Sequence, residues 1–389
     1  MKMLNSNTKR RAVLPVGTPL LVAVCCVLLA LGCGKGPDAQ APGDGANATT
    51  KTRLKVAYIG ITCEAPIFVA YEKGFFDEED LDVELVKTDW DGLRDGLGLG
   101  RFDANHTLIM YLLKPIEQGL DVKITGGIHT GCLRVQAGAD SKIQSVEDLR
   151  GKRIGIPTMG SPPFLFASRV LAAHGMDPQK DVTWLTISSD VMELAIANGQ
   201  VDAVANSEPI GSILLAKEKV RTVADQAVDA PYCDEYCCAA VVSGKLAKEN
   251  PEAAAKLTRA LLKASKWVGA NPTAAAELSV ENKYIAASKE INAQAISKLK
   301  YVPGVEQCRQ SIDLAAKEMK TAGLLNSATD ADDLARKAWL DLDGVSDDWV
   351  GGLEVEHVAG GGMPPALSAD AFAALFDGQA CCACCCMDE

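Results

Sequence analysis

Apolar and polar residues alternate along the chain in a way that first predicts a strand, a helix and a second strand. Residues 56–61 form a nearly unbroken apolar run, which is typical of a strand buried on both faces. Pro66 suits the first turn of a helix that ends at Gly74. Residues 81–86 then follow the period-two pattern of a second strand. Parallel strands need a right-handed crossover, and ligands of such a unit bind at the carboxyl ends of its strands.

The pattern continues as alternating strands and helices over most of the chain. Further strands are predicted at residues 104–107, 122–128, 153–157, 181–187, 201–205 and 220–223. Helices are predicted at residues 91–99, 108–118, 190–198 and 245–266, the last broken near Pro251, with one from the turn at 158–163 to about 175 and another beginning at 271–272. This alternation predicts an α/β fold. Residues 132–137 and 237–242 are expected to cross between its two halves, and the helices up to about residue 340 to form an outer layer on the first half.

Four short phrases of the sequence match a known family pattern. AYEKGFFDEEDLDVEL follows a polar turn that contains proline, and SVEDLRGK has the form S-x-x-D-L-x-G-K. The phrase G-x-x-D-A occurs twice, at Gly100 and at Gly199, and Glu208-Pro209 follows its second occurrence. Over roughly residues 54–340 the chain therefore resembles the periplasmic substrate-binding proteins of the nitrate, sulfonate, taurine and thiamine-precursor family.

The resemblance implies a type II periplasmic-binding-protein fold, in which two α/β lobes are joined by a two-segment hinge. Lobe one is expected to comprise residues 53–135 and 237–340, and lobe two residues 136–236. Residues 341–389 form a predicted tail, which is rich in glycine and aspartate and has a cysteine-rich end. A chain of 389 residues is long enough for two such domains.

The first 52 residues have the pattern of an export signal followed by a tether. A basic start precedes an apolar stretch at residues 20–31, which is too short to cross a bilayer comfortably. Residues 29–33, LALGC, resemble a lipoprotein cleavage box, so we expect a signal peptide over residues 1–33 and lipidation at Cys33. An uncleaved anchor and simple secretion are the alternatives. Residues 34–52 favour a flexible tether, and the mature protein is expected in the cell envelope, lipid-anchored on the periplasmic or extracellular face.

The charge of the chain excludes one class of partner. A net charge of -12 does not fit a nucleic-acid-binding protein, which needs clustered lysine and arginine. It does not exclude an anionic ligand, because helix N-termini bind anions whatever the global charge.

Polar turns at the ends of the predicted strands are the candidate ligand contacts. We expect these turns, which are far apart in the sequence, to meet across one crevice between the lobes. The set comprises Thr62, Cys63, Glu64, Trp90, His106, Thr107, Thr130, Gly160, Ser161, Asn206 and Glu208. Within the turn at 158–163, Gly160 allows close approach of the backbone and Ser161 offers a hydroxyl.

Several of these residues have a second, structural interpretation. Glu64 and Glu208 either pair with a cationic group of the ligand or serve as acids at helix N-termini. Trp90 either stacks on a ligand or packs in the core. His106 and His129 fall at predicted strand ends facing the cleft, where they are either ligand contacts or hydrogen-bonded structural residues.

Cysteine usage is the unusual feature of the composition, with 14 in the chain. Cys63, Cys132, Cys233, Cys237 and Cys238 are predicted on the cleft side near the hinge, as candidate ligands of an unidentified metal. Thiolates favour zinc, copper(I) or iron–sulfur centres, whereas disulfides and plain reduced thiols are the alternatives. The CCACCC segment at residues 381–386 lacks the spacing of a tetrahedral zinc site.

These features favour a solute-binding lipoprotein that delivers a small molecule to the permease of an ABC importer. The resemblance suggests nitrate, a sulfonate, taurine or a thiamine-like heterocycle as the ligand. We expect a monomer without catalysis or cofactor, whose partners are the small molecule, the permease and the membrane. A pyrimidine synthase is one alternative, because a synthase branch of the same superfamily carries a cysteine-rich iron motif. A protein that binds soft metals or thiophilic ligands is the other.

Overall fold

The computed structural model describes residues 51–365, which form two mixed sheets flanked by helices. The predicted signal peptide with Cys33, nearly all of the predicted tether and the cysteines at 381–386 lie outside these residues. Within 51–365, no helix combines the length and the apolar character that crossing a bilayer requires.

The first sheet pairs distant parts of the chain. Its strands are β1 (Thr52–Tyr58), β2 (Leu81–Lys87), β3 (Ala104–Leu108), β4 (Val122–Thr130) and β10 (Tyr236–Ser243). Their spatial order is β2-β1-β3-β10-β4. β1 runs parallel to β2 and β3, whereas β10 runs antiparallel to both β3 and β4.

The second sheet repeats this topology. Its strands are β5 (Leu133–Gly138), β6 (Arg153–Ile156), β7 (Thr183–Thr186), β8 (Ala203–Ser207) and β9 (Val220–Asp225). Their order is β7-β6-β8-β5-β9, with β6 parallel to β7 and β8, and β5 antiparallel to β8 and β9. The chain passes to this sheet after Thr130 and returns to the first before Tyr236. Two α/β lobes joined by two segments confirm the predicted fold class.

Helices flank both sheets. Those before the return segment are α1 (Ala65–Glu72), α2 (Phe75–Glu78), α3 (Trp90–Gly98), α4 (Ile109–Glu117), α5 (Pro162–Ala173), α6 (Met192–Ala197) and α7 (Ile210–Ala216). Those after it are α8 (Gly244–Glu249), α9 (Pro251–Ala270), α10 (Pro272–Glu281), α11 (Lys289–Lys298), α12 (Glu306–Thr321), α13 (Ala331–Ala338) and α14 (Asp347–Gly352). Proline and asparagine fix the break between α8 and α9, because Pro251 starts α9 and the Asn250 side chain accepts from the Ala253 amide at 3.0 Å.

The first strand begins and ends earlier than the apolar run predicts. It spans Thr52–Tyr58 rather than residues 56–61, because every one of its residues pairs with β2. The amides of the next three residues, 59–61, instead donate to the carboxylate of Glu64 at 2.7–3.2 Å. The end of the apolar run therefore forms the turn that leads into α1.

The helices after the return segment cover the first lobe and also reach the second. α9 packs against α1 and β4, whereas α12 packs against both α4 and α5. At that contact the fully buried Arg169 of α5 donates to Glu235 at 2.8 Å and lies 2.7 Å from the carboxylate of Glu318 on α12. The prediction of an outer layer on the first lobe alone missed this bridge.

Residues 341–365, the first part of the predicted tail, form a strap that packs on the helical layer. Lys266 of α9 donates to the carbonyl of Leu353 at 2.7 Å. The amide group of Asn271 donates to the carbonyl of Glu356, also at 2.7 Å. The glycine-rich composition of this segment does not predict that it packs in a defined position. Its position depends on backbone carbonyls of the strap that accept hydrogen bonds from side chains of the helical layer.

Candidate functional site

A cavity of about 800 Å³ lies between the two lobes. Its wall on the first lobe includes Cys63, Asp89, Trp90, Asp91, Arg94, Tyr111 and Lys114. Its wall on the second lobe includes residues 157–165, Ser189 and residues 207–210. Another cavity, of about 770 Å³, is lined by residues of the second lobe alone. The cavity that both lobes share is the candidate site, because ligand sites favour such interfaces.

Some of the predicted ligand contacts line this cavity and others do not. Those at its wall are Cys63, Trp90, Gly160, Ser161 and Glu208. They lie in turns that follow β1, β2, β6 and β8, so strand-end turns from both lobes meet at one crevice.

The remaining predicted contacts are buried outside the lining of the cavity. They are Thr62, Glu64, His106, Thr107, Thr130 and Asn206. His106 and Thr107 lie within β3, which β10 covers along its whole length. Leu108, the last residue of that strand, lines the cavity. Asn206 donates to the side chain of Gln136 at 2.7 Å, and its neighbour Ser207 lines the cavity instead.

Thr62 and Glu64 organise the turn between β1 and α1. The Thr62 hydroxyl donates to the side-chain oxygen of Asn292 at 2.9 Å. Glu64 accepts backbone amides, the shortest from Gly60 at 2.7 Å. Burial raises the pKa of Glu64 to about 7, although these amides favour its charged form. Of its two interpretations, the structural acid before a helix fits these contacts.

Ser161 and Gly160 shape the second-lobe wall. Ser161 immediately precedes α5, and its buried hydroxyl makes no hydrogen bond within residues 51–365. The N-terminus of α5 adds a partial positive charge, and Pro162 leaves no amide donor unused there. Gly160 has φ +77, a backbone conformation that residues with a side chain rarely adopt. Among the described residues, no atom beyond its chain neighbours lies within 4 Å of its Cβ position, so a substitution there would strain the backbone without causing a clash.

The first-lobe wall combines aromatic surface with a guanidinium. Tyr111 donates its hydroxyl to the carbonyl of Trp90 at 3.2 Å, and the two rings meet edge to face at 5.2 Å. Arg94 is paired with Asp91 at 3.1 Å and with Asp95 at 2.9 Å, and 32% of its side chain stays exposed. Trp90 is half-buried and contributes to the cavity wall as well as to packing.

The Glu208 carboxylate is held by other side chains of the protein. The Arg134 guanidinium donates to its carboxylate and, at 2.7 Å, to that of Asp225. The Ser212 hydroxyl also donates to Glu208 at 2.7 Å, and Lys298 of α11 donates to that hydroxyl at 2.9 Å. This network orders the turn after β8 and links it to a helix of the layer on the first lobe.

Several predicted contacts carry buried polar atoms that lack a hydrogen-bond partner among the described residues. They are both ring nitrogens of His106, the hydroxyls of Thr107, Thr130 and Ser161, and the side-chain oxygen of Asn206. Buried polar atoms in folded proteins usually have a hydrogen-bond partner. These residues come from both lobes.

Four cysteines form a thiol cluster at the cavity. Cys63 and Cys132 line it, whereas Cys237 and Cys238 are buried on β10. The sulfurs of Cys237 and Cys238 are 4.0 Å apart, and the Cys63 thiol interacts with those of Cys132 and Cys238. All six cysteines within residues 51–365 stand as free thiols in this structure.

The thiols shift one another's pKa values. Hydrogen bonds from the Cys237 and Cys63 thiols lower the pKa of Cys132 well below its usual range. The hydrogen bond between the Cys63 and Cys132 thiols raises the pKa of Cys63. Burial raises the pKa values of Cys237 and Cys238. Of these four thiols, Cys132 at the cavity wall is the one whose pKa is lowered.

Cys233 does not share this position. It is half-buried in the short turn Tyr232–Asp234, ahead of β10, rather than on the strand that carries Cys237 and Cys238. The prediction grouped it with the other cleft cysteines because the sequence gives no sign of where the return segment becomes a strand.

Sequence reasoning missed several residues of the cavity wall. Asp89 follows β2 and caps α3 by accepting from the Gly92 amide at 2.7 Å. The rule that carboxyl ends of strands face the site would have found it. Arg94 lies on α3 and Tyr111 on α4, and only the packing of these helices brings the two side chains to the wall.

Two α/β lobes of one topology, joined by two segments around a shared cavity, define the class of two-lobed binding-protein folds. Within that class the chain belongs to the NMT1-like family, whose pattern matches residues 47–280.

Relatives of this chain include both binding proteins and a synthase. It is 25% identical over 261 residues to the nitrate/nitrite binding protein NrtA of Nostoc sp., covering 61% of this chain and 54% of that protein. It is 25% identical over 225 residues to a 4-amino-5-hydroxymethyl-2-methylpyrimidine phosphate synthase of Saccharomyces cerevisiae, covering 54% of this chain and 64% of that enzyme. The chain thus spans about half to two thirds of the length of these relatives.

Solved structures share the fold. The alkanesulfonate-binding protein SsuA from Xanthomonas axonopodis pv. citri, bound to MOPS, matches with a TM-score of 0.61 at 19% identity, covering 75% of this chain and 99% of that one. The ligand binding component of an ABC-type import system from Staphylococcus aureus matches with a TM-score of 0.58 at 20% identity, covering 74% of this chain and 99% of that one.

Proposed function

We propose that the chain is the solute-binding component of an ABC importer and captures a small organic anion of the alkanesulfonate type between its lobes. Closure of two lobes around a solute would shield it from water and present it to a membrane permease. The importer role is supported by the names of the relatives and by the fold. Lipid anchoring at Cys33 in the cell envelope and action as a monomer belong to the same proposal.

The observation that carries the ligand class is the combination of groups in one cavity. Arg94 and the unpartnered hydroxyl of Ser161, at the N-terminus of α5, are suited to an anionic head. Trp90 and Tyr111 line the same cavity and offer aromatic surface to an apolar tail. An anion with an apolar tail would contact both the polar groups and the aromatic rings of this cavity.

The acidic residues of the wall do not oppose an anion strongly. Glu208 is held by Arg134. Asp89 accepts the amide of Gly92 in its helix cap. These partners offset the negative charge that the ligand would meet.

The size of the cavity favours an organic solute over the smallest inorganic anions. About 800 Å³ lies in the range of pockets for small organic ligands, about 300–1,000 Å³. Nitrate would fill only a small part of such a volume and would leave Trp90 and Tyr111 without contacts.

Calorimetric titration of the chain with butanesulfonate, taurine, nitrate and hydroxymethylpyrimidine tests this proposal. We expect the sulfonate to bind most tightly and Arg94→Ala to weaken it by about 10-fold or more, since a lost charge-assisted hydrogen bond costs about 1.5–3 kcal/mol. Arg101→Ala is the matched control, because Arg101 is exposed and lies outside the cavity lining.

Two results would contradict the proposal. One is tighter binding of nitrate or the pyrimidine than of any sulfonate, and the other is equal loss of affinity in both arginine variants. Turnover of a solute by the isolated chain would instead favour a synthase.

A further inference from the structure

The thiols of Cys63 and Cys238 and the imidazole of His129 form a group of donors that anion capture does not use. One donor atom of each residue lies within 4.8 Å of the other two. All three side chains are buried, and they come from three separate elements: the turn after β1, β10 and β4. The fold therefore gathers these donors from positions far apart in the sequence.

The two ring nitrogens of His129 have different surroundings. Its Nδ1 lies 3.3 Å from the carbonyl of Thr130, whereas its Nε2 has no hydrogen-bond partner among the described residues. Buried imidazole nitrogens are normally bonded. A metal-binding histidine typically has one nitrogen on the metal and the other on a carbonyl or carboxylate, and His129 has this arrangement available.

The chemistry of the donors selects the kind of ion. Two sulfurs and an imidazole nitrogen suit copper(I) and zinc(II), whereas magnesium and calcium prefer oxygen ligands. The carboxylate next in sequence, that of Glu64, is occupied by the amides of Ile59 and Gly60. The available donors are therefore all soft or intermediate.

The spacing and the access of the group also suit an ion. Zn–S bonds of about 2.3 Å in a tetrahedral site place the sulfurs about 3.8 Å apart, so these donors need to approach by at most about 1 Å. Cys63 and Cys132 both line the cavity, which gives an entry path. The Cys132 thiol contacts that of Cys63 but is not itself in the donor group.

We propose that Cys63, Cys238 and His129 bind one soft d10 metal ion, copper(I) or zinc(II), at the base of the cavity between the lobes. This site is separate from the groups assigned to the anion, Arg94 and Ser161. Sulfonate binding and metal binding can therefore succeed or fail independently.

Metal titration of the full chain tests the proposal. The five cysteines at 381–386 are replaced by serine in every sample, because they would otherwise capture soft metals themselves. Copper(I) is titrated under argon in competition with bicinchoninate, and zinc(II) is measured by equilibrium dialysis. We expect one equivalent of one of these ions, and the relative affinities decide between them.

Substitutions then assign the site. Cys63→Ala and Cys238→Ala should each weaken binding by at least about 100-fold, the upper end of what outer-shell changes cost a metal site. Cys308→Ala is the matched control, because Cys308 is a buried free thiol on α12 that is not in the donor group. X-ray absorption of the loaded protein should show sulfur neighbours at about 2.3 Å and nitrogen at about 2.0–2.1 Å for zinc.

Three outcomes would overturn the site. They are no binding of either ion, equal loss of binding in Cys308→Ala, and a disulfide between cluster cysteines in protein alkylated as it is isolated. Circular dichroism and thermal unfolding check each variant. If Cys238→Ala does not fold, Cys63→Ala at the cavity wall still decides the question.

Discussion

The guanidinium of Arg169 on α5 lies 2.7 Å from the carboxylate of Glu318 on α12 and donates to both carboxylate oxygens of Glu235 at 2.8 Å. The arginine side chain is fully buried, so two acids share one cation with little water around it. The contact ties the second lobe to the helical layer of the first.

Breaking this contact should cost much of the stability of the fold. Arg169→Met would leave Glu235 buried without its cation, which is expected to lower the free energy of unfolding by about 3–5 kcal/mol. Urea unfolding followed by circular dichroism measures this loss. Arg336→Met, which breaks an exposed pair with Asp333, should change stability by less than about 1 kcal/mol. Equal stability of the Arg169 variant and the parent would show that the buried network contributes nothing net.

Glu64 should make stability depend on pH near neutrality. Burial raises its pKa to about 7 from an ordinary 4.5, so the folded chain holds this proton more tightly than the unfolded chain. The contribution is fully present below pH 4.5 and is lost as the pH rises through about 7, by up to about 3 kcal/mol.

Urea unfolding of Glu64→Gln and the parent between pH 4.5 and about 8 measures this contribution. The variant should lose this part of the pH dependence, whereas Glu84→Gln, an exposed control, should follow the parent. Parallel profiles for Glu64→Gln and the parent would contradict the assignment.

A side chain at Gly160 should strain the turn before α5. Gly160→Val is expected to lower the free energy of unfolding by about 1–2 kcal/mol, because a β-branched residue at φ +77 is disfavoured although the space is open. Gly160→Asn should cost less, since asparagine tolerates the left-handed region. Urea unfolding of both variants compares them, and equal losses would locate the cost in contacts rather than in the backbone.

The aromatic wall predicts a chain-length effect on sulfonate binding. Each methylene that lies against Trp90 and Tyr111 should add up to about 0.8 kcal/mol, or about fourfold in affinity, until the cavity is filled. Calorimetry with ethane-, butane- and hexanesulfonate measures the slope. Trp90→Ala should flatten it, whereas an unchanged slope would place the tail elsewhere in the cavity.

The sequence predicts the elements of this fold better than the membership of its site. The break before α9 could be predicted because it depends on local chemistry, an asparagine cap followed by Pro251. The alternation of strands and helices likewise predicts the two α/β lobes.

Which residues reach the cavity depends on pairing between distant strands. Ala240 of β10 pairs opposite His106, so the strand beside His106 comes from a segment far away in the sequence. The proximity of Cys63 to Cys238 likewise requires β10 to return beside β3, which no local pattern encodes. Charge and aromatic residues on helices, such as Arg94, reach the wall only through helix packing.

The family match ends at residue 280, but the first lobe does not. Val345 and Val350 of the strap are buried, and Lys266 donates to the carbonyls of Val350 and Leu353. A recombinant fragment that ends at residue 280 would expose the apolar surface that Val345 and Val350 cover. It would also leave the ammonium of Lys266 without its carbonyl acceptors, so it should aggregate. Gene fusions and crystallisation trials should keep the chain through Pro365.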